Sequence, residues 1–574
     1  MYKEESRQGL VPFIMAFVLT ALTAVLLSYK FDFLLVTNDD ITLRNIASGT
    51  FTGTPDAHLI YIMYPLGLIF KALYSVFPAL PWYDIFMTGM HFVCLFIVLF
   101  RTGILFDRIS NRIVAMLVSF SLFLIFELSQ ITFHQYTVLA AVLMGTGLFR
   151  LTTADYLKKR RSGASIMIIL FILAMWVRKQ VFFLGLPLVV LSIAFNIFEK
   201  NDTYDERFER FKTAISPMIV AFVLIVASFT VEYFAYSSPE WKAFKAYNEA
   251  RTDVYDFDGL PDYYSDPSFY EELGISEAQY SLLRRYDLAL LDEVDTDTLR
   301  ALSDKAELNK KEWARFYSVP RKVINDTVKA MYAKNNGALP VALTIVFFVL
   351  FIFFMVRDRK LAGAVVFATY VFEWLFIGYF TYLDRLPERV THGFFLMEFM
   401  FLTGVFVREV RRLKNQRTPS LYWQIFAGLF FVSIFTMTGL SAYTTTTSKL
   451  MEKQQVLDEW KELNLYFKHS PENIYILNTA AYAATCDSMF SDEITDAHNT
   501  VTSNWTIGGP LFEAHLNKLG VTTSIKEALK QDNVFFVQDV DKDLACLAEC
   551  FGNAAVVDSI VLSNGKEYEI ISLK

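Results

Sequence analysis

"HLIYIMYPLGLIFKALYSVF", residues 58–77, decides the architecture: it is apolar enough to be weighed as a membrane crossing, yet Pro65, Gly67 and Lys71 interrupt it. The chain around it has 574 residues, 54% of them hydrophobic, with 55 Phe and 29 Tyr, and a mean hydropathy of +0.34. That is more apolar surface than a soluble core consumes. Apolar runs at 10–29, 83–105, 113–130, 131–150, 163–178, 181–198, 213–236, 338–356, 361–382, 391–407 and 421–441 match what a hydrocarbon layer about 30 Å thick asks of a helix rising about 1.5 Å per residue. They predict a polytopic all-α membrane bundle of about eleven transmembrane helices.

Charge then sets the topology. With the N-terminus in the cytoplasm, "FDRISNR", "LKKRR", "EKNDTYDERFERFK", "RDRK" and "REVRRLKNQR" all fall on the inner side, as the Lys/Arg loop bias requires. Counting 58–77 as a further crossing would export every later basic cluster, so it reads as an interfacial or re-entrant helix on the outer surface. The first span is long and has no A-x-A-like site, which makes it an anchor and not a cleaved leader. The segments 237–337 and 442–574 then face outward.

This placement puts Asp39 and Asp40, in "LVTNDDITLRNIAS", just outside the membrane. One reading of the pair is capping, since an Asp ahead of "ITLRNIAS" accepts N–H bonds from a helix's first turn. The other is chemical. A carboxylate at the lipid boundary can take the proton of an acceptor hydroxyl while a sugar leaves a lipid-bound phosphate, and two acids can hold a divalent cation such as Mg or Mn against that phosphate.

A leaving phosphate needs neutralisation, and four basic residues break the positive-inside pattern: Arg178 and Lys179 in "WVRKQ", Arg385 and Arg389 in "YLDRLPERVTHG". Each alone can snorkel to headgroups; together, on the side of the paired acids, they suit an anionic lipid substrate. His58 and Tyr64 lie on the same surface as further substrate-binding candidates, and His134 maps nearby. Net charge is −7 and no basic face interleaved with aromatics occurs, which excludes nucleic acid as a partner. The four cysteines lack zinc-site spacing.

The first span followed by "NDDITLRNIASGTFTGTPDAHLIYIMYPLGLIFKALY", together with "ITFHQYTVLAAVLMGTGLFRLT" and "WVRKQVFFLGLPLVVL", resembles the GT-C superfamily of integral-membrane glycosyltransferases, in particular its protein mannosyltransferase and aminoarabinose transferase branches. The resemblance covers roughly the first 200 residues as layout. It implies a polyprenyl-phosphate-linked sugar as donor, membrane lipid as surroundings and an envelope glycan outside the cytoplasm as acceptor; the signal-anchor start and compact loops point to a bacterial plasma membrane. Asp39 and Asp40 take the positions of the family's acidic pair. That pair is usually Asp-Glu or Asp-x-Asp, so the base and any metal stay open; the resemblance favours Asp39 as base with Asp40 in support.

Residues 237–337 are rich in Tyr, Asp and Glu, and Ser276 with Gln279 forms a capping-box pattern, which predicts a helical insert. In 442–574, "NIYIL", "NVFFVQ", "AVVDSIVL" and "EYEIIS" predict strands of a small α/β domain, with Asn564-Gly565 closing a hairpin. "NWTIGG" reads as a turn and helix start or as an anion cradle. The expected domains are therefore 1–236, with a catalytic outer loop at 30–82, then 237–337, 338–441 and 442–574. A flippase for lipid-linked glycans and a non-catalytic envelope protein are the alternatives; the first needs ionisable groups near the bilayer midplane.

Overall fold

A computed structural model describes residues 2–154, 162–198, 203–314, 325–329, 339–382, 387–412, 421–478, 486–490, 499–539 and 544–573. Each expected span falls mainly on a helix, although the run 131–150 begins at the end of the preceding helix and in a short strand before its own helix starts at Tyr136. In chain order these begin with α1 (Tyr2–Lys30), α4 (Trp82–Leu105), α5 (Ile109–Thr132), α6 (Tyr136–Thr152), α7 (Ser162–Val177), α8 (Lys179–Ile197) and α9 (Tyr204–Ala235). Leu339–Val356, Lys360–Tyr382, Glu388–Arg412 and the 49-residue helix Leu421–His469 complete the set. Among the described residues seven helices are long and apolar enough to cross a membrane, with three shorter apolar ones beside them. The chain is a polytopic helical membrane protein.

The stretch at 58–77 is not among the helices long and apolar enough to cross a membrane. It forms α3 (Tyr64–Val76), whose 13 residues span about 20 Å, short of the hydrocarbon thickness. Leu66, Phe70 and Tyr74 are buried, whereas Leu68, Ile69 and Val76 are exposed apolar residues. A helix apolar on its open side suits the membrane boundary. Gly67 lets α3 lie against the preceding loop, because a Cβ there would sit 2.0 Å from the Ala57 carbonyl oxygen.

Between α1 and α3 lies α2 (Asn38–Ser48). Thr37 caps its N-terminus and Gly49, at φ 84°, closes it in the left-handed region that only glycine enters cheaply. Two residues before the cap, β1 (Leu34–Leu35) pairs in parallel with β2 (Phe133–His134) at the α5–α6 junction and antiparallel with β4 (Asp487–Ser488) from the C-terminal region.

The insert begins with α10 (Pro239–Thr252) and continues through short helices to Thr296–Ala314; the expected Ser276–Gln279 capping box is formed. The C-terminal sheet has the order β5-β3-β6-β8-β7, with β3 (Ile474–Leu477) parallel to β5 (Thr500–Thr502) and β6 (Val534–Asp539). β7 (Ala555–Val561) and β8 (Glu567–Ser572) form the expected hairpin, with Gly565 at φ 86°. Insert and sheet share one apolar core, in which Val254, Tyr270, Leu283 and Leu302 pack with Ile476, Phe512, Phe536 and Leu547.

Candidate active site

The adjacent acids of α2 point different ways. Asp40 is fully buried. Its Oδ1 accepts from the Tyr83 hydroxyl at 3.0 Å and the Tyr136 backbone N–H at 3.1 Å, and its Oδ2 accepts from Thr37 Oγ1 at 2.6 Å. These bonds tie α2 to α4 and α6. Burial, opposed by the Thr37 and Tyr83 hydrogen bonds, pushes the Asp40 carboxyl up to about 7 from an ordinary 3.8.

That shift has a signed consequence. The folded chain keeps a proton on Asp40 that the unfolded chain releases above pH 3.8, so the group's contribution is full below that pH and is lost as pH rises through about 7. Thermal unfolding in detergent is expected to show stability falling between about pH 4 and pH 7. Asp40→Asn, which mimics the protonated acid, is expected to remove that part of the slope; an unaltered slope would contradict the assignment.

Asp39 is half-buried and faces a basic neighbourhood. Burial raises its carboxyl, against the pull of Arg389, Arg178 and Arg251 and with a push from Asp256. A raised carboxylate is the stronger proton acceptor once ionised. Arg178 occupies the break between α7 and α8, in extended backbone at φ −157°. Its guanidinium carbon lies 5.2 Å from the ring centres of both Tyr61 and Tyr136, and its buried Nη1 has no hydrogen-bond partner. Arg251, at the end of α10, donates to Asn248 Oδ1 at 2.6 Å and is an electrostatic neighbour of Tyr61, and among the described residues its buried Nε–H has no partner. Trp505 packs on Tyr61 with ring centres 4.9 Å apart, and its buried Nε1–H is also unpartnered. The site thus presents orphaned donors, which call for a ligand rich in acceptors.

Of the residues expected from sequence, Asp39, Arg178 and Arg389 share this neighbourhood. Arg385 lies outside the described residues. Lys179, adjacent to Arg178, is a charged neighbour of Lys245. His58 and Tyr64 come together in a different cluster. The His58 ring holds Asp56 Oδ1 at 2.7 Å and the Ala235 carbonyl at 3.3 Å, and it stacks on Trp241 at 4.5 Å. The Tyr64 ring lies 4.8 Å away, and its backbone N–H donates to Glu232 at 2.7 Å. Both ring nitrogens of His58 are therefore engaged at the α9–α10 junction.

Sequence reasoning did not single out Arg251, Asp256, Tyr61 or Trp505. They come from the insert, the loop after α2 and the C-terminal region, and carry no spacing that links them. "NWTIGG" resolves into a turn and helix start: Asn504 is buried, donating to Thr502 and accepting from Thr506. A Cβ at Gly509 would lie 2.5 Å from the Phe244 ring of α10. Gly509→Ala is expected to cost about 1–3 kcal/mol by overpacking, read as a lower melting temperature; an unchanged one would show that this approach is not tight. All four cysteines are free.

No protein-family model matches the sequence, and no curated protein matches it. Among solved structures, the chain is similar to ArnT from Cupriavidus metallidurans bound to undecaprenyl phosphate, at 13% identity and TM-score 0.39, over 97% of each chain. The apo state of that protein gives 13% identity and TM-score 0.41 over 96% of this chain and 97% of that one. The archaeal oligosaccharyltransferase AglB from Archaeoglobus fulgidus, in complex with an inhibitory peptide and a dolichol-phosphate, gives 12% identity and TM-score 0.41 over 98% of this chain and 74% of that one.

Proposed function

We propose that the protein is a membrane glycosyltransferase that moves a sugar from a polyprenyl-phosphate donor to an envelope glycan or lipid acceptor on the outer face of a bacterial plasma membrane. One observation carries the reading: a half-buried carboxylate, Asp39, among three arginines delivered by separate elements. Arg178, Arg251 and Arg389 outnumber Asp39 and Asp256, and the local excess of positive charge is what a phosphodiester headgroup neutralises. Asp39 takes the proton of the acceptor hydroxyl. The acceptor oxygen then bonds to the anomeric carbon as the bond from that carbon to phosphate oxygen breaks. The electron pair departs with the phosphate, where the guanidiniums hold it. Lys179 and Arg385 remain in this proposal as basic groups at the same boundary, and His58 and Tyr64 as a flank of the acceptor path.

A divalent cation fits these residues poorly. Both Asp40 oxygens already accept from protein donors, and the arginines around Asp39 repel a dication. No step is routed through one.

A panel of polyprenyl-phosphate-linked hexoses and pentoses tests the function: release of the sugar, or its transfer to envelope glycan, is expected, and intact glycosidic bonds across the panel would refute it. One observation favours the transporter alternative. Glu373 and Glu398 are fully buried in mid-helix positions of the bundle, and none of their carboxylate oxygens has a hydrogen-bond partner. Transport leaves the glycosidic bond whole, so the same assay separates the two.

A further inference from the structure

The helix that carries Asp39 is held from behind by the C-terminal region. On α2, Asp40 and Arg44 are one turn apart and share a face, while Asp39 points about 100° away around the axis. Asp40 fixes that face to α4 and α6. Arg44 fixes it to β4: its Nη2 pairs with Asp487, whose side chain is 1% exposed, and its Nη1 donates to the Ser488 carbonyl at 3.4 Å. The same two residues, Asp487 and Ser488, pair in the sheet with Leu34 and Leu35, immediately ahead of α2, and the next residue's N–H, from Met489, donates to the Phe33 carbonyl at 2.9 Å. One short strand thus grips both the lead-in to α2 and its middle. Further along, Phe490 donates its backbone N–H to Asp84 of α4 at 3.3 Å, which anchors the strap to the membrane bundle.

A buried ion pair at this place has an orienting role. Removing one partner leaves a desolvated charge alone, whereas the intact pair admits few geometries, because the guanidinium fork must reach both a carboxylate and a carbonyl. An eleven-residue helix has little stability of its own, so its orientation is set by such ties. We propose that Arg44 and Asp487 are positioning residues for the Asp39 chemistry, by which the C-terminal region sets the angle of the acid-bearing helix against the arginines. The inference rests on the sugar-transfer reading only for its catalytic consequence; the mechanical hold is tested separately.

Two variants of the full-length chain serve. Asp487→Asn removes one charge at constant size, and Arg44→Lys keeps the charge but loses the fork, a milder change that retains a folded protein to measure. Hydrogen exchange in detergent is expected to show residues 38–48 losing protection at least about tenfold in Asp487→Asn, with α6 unchanged. Undecaprenyl phosphate binding is expected to stay within about threefold, because the arginines are untouched. Sugar release from the lipid-linked panel is expected to fall about ten- to hundredfold in kcat with little change in KM, the cost of a displaced reacting group. Arg44→Asp combined with Asp487→Arg is expected to recover more activity than either change alone. Wild-type exchange over 38–48 in Asp487→Asn, or a fall in KM terms alone, would overturn the proposal. An Asp39→Asn control separates the failures: activity in that control removes the transfer reading whatever α2 does, whereas a dead control beside a fully active Asp487→Asn removes only the positioning role.

Discussion

Asp39→Asn is expected to abolish sugar transfer, by about a thousandfold or more, while the chain folds and still binds undecaprenyl phosphate. Loss of a general base costs typically 10²–10⁴ in rate, and the adjacent acid offers no substitute: Asp40 is buried and committed to Tyr83, Tyr136 and Thr37. Folding is expected to survive because Asp39 is only half-buried and its amide isostere removes a charge that burial already disfavours. Binding is expected to persist or tighten, since the neutral side chain no longer competes with phosphate for the three guanidiniums. The check is transfer rate beside a binding isotherm for undecaprenyl phosphate. Full activity in the variant would remove Asp39 from the chemistry, and a parallel loss of binding would recast it as a structural anion.

The second large effect belongs to Arg178. Its guanidinium is held between Tyr61 and Tyr136 with one buried N–H unpartnered, so a phosphate oxygen placed there gains a charge-assisted bond at little ordering cost. Such bonds are worth about 1.5–3 kcal/mol, which corresponds to roughly ten- to hundredfold in affinity. Arg178→Ala is therefore expected to weaken undecaprenyl phosphate binding by that factor and to lower kcat as well, since negative charge grows on the phosphate as the sugar departs. Arg389→Ala is expected to act in the same direction. A variant that loses acceptor affinity and donor affinity equally would argue against a phosphate clamp, because the clamp is proposed to act on the donor's phosphate.

Much of the architecture is legible from hydropathy, because a span's length is dictated by the bilayer and its flanks by charge. The boundary of α3 is legible for a local reason: Pro65 starts it, and Lys71 makes a full crossing costly. The final hairpin follows from Asn564-Gly565, whose glycine adopts the positive φ that the turn requires. Other features leave no such trace. The two-residue strands β1, β2 and β4 are too short for a period of two to show, so the strap behind α2 exists only once the fold brings residues 34, 133 and 488 together. Arg251 is one cation in an acid-rich insert, and nothing in its neighbours announces that α10 turns it toward Asp39.

The common core of insert and sheet bears on how the chain is made. Val254, Tyr270, Leu283 and Leu302 leave the ribosome well before Phe512, Phe536 and Leu547 exist, with several hydrophobic segments still to be threaded into the bilayer in between. Until the last strands arrive, that oily half-interface waits uncovered. A truncation that ends at the final span strands it there for good, and a soluble fragment starting after that span bares the complementary half.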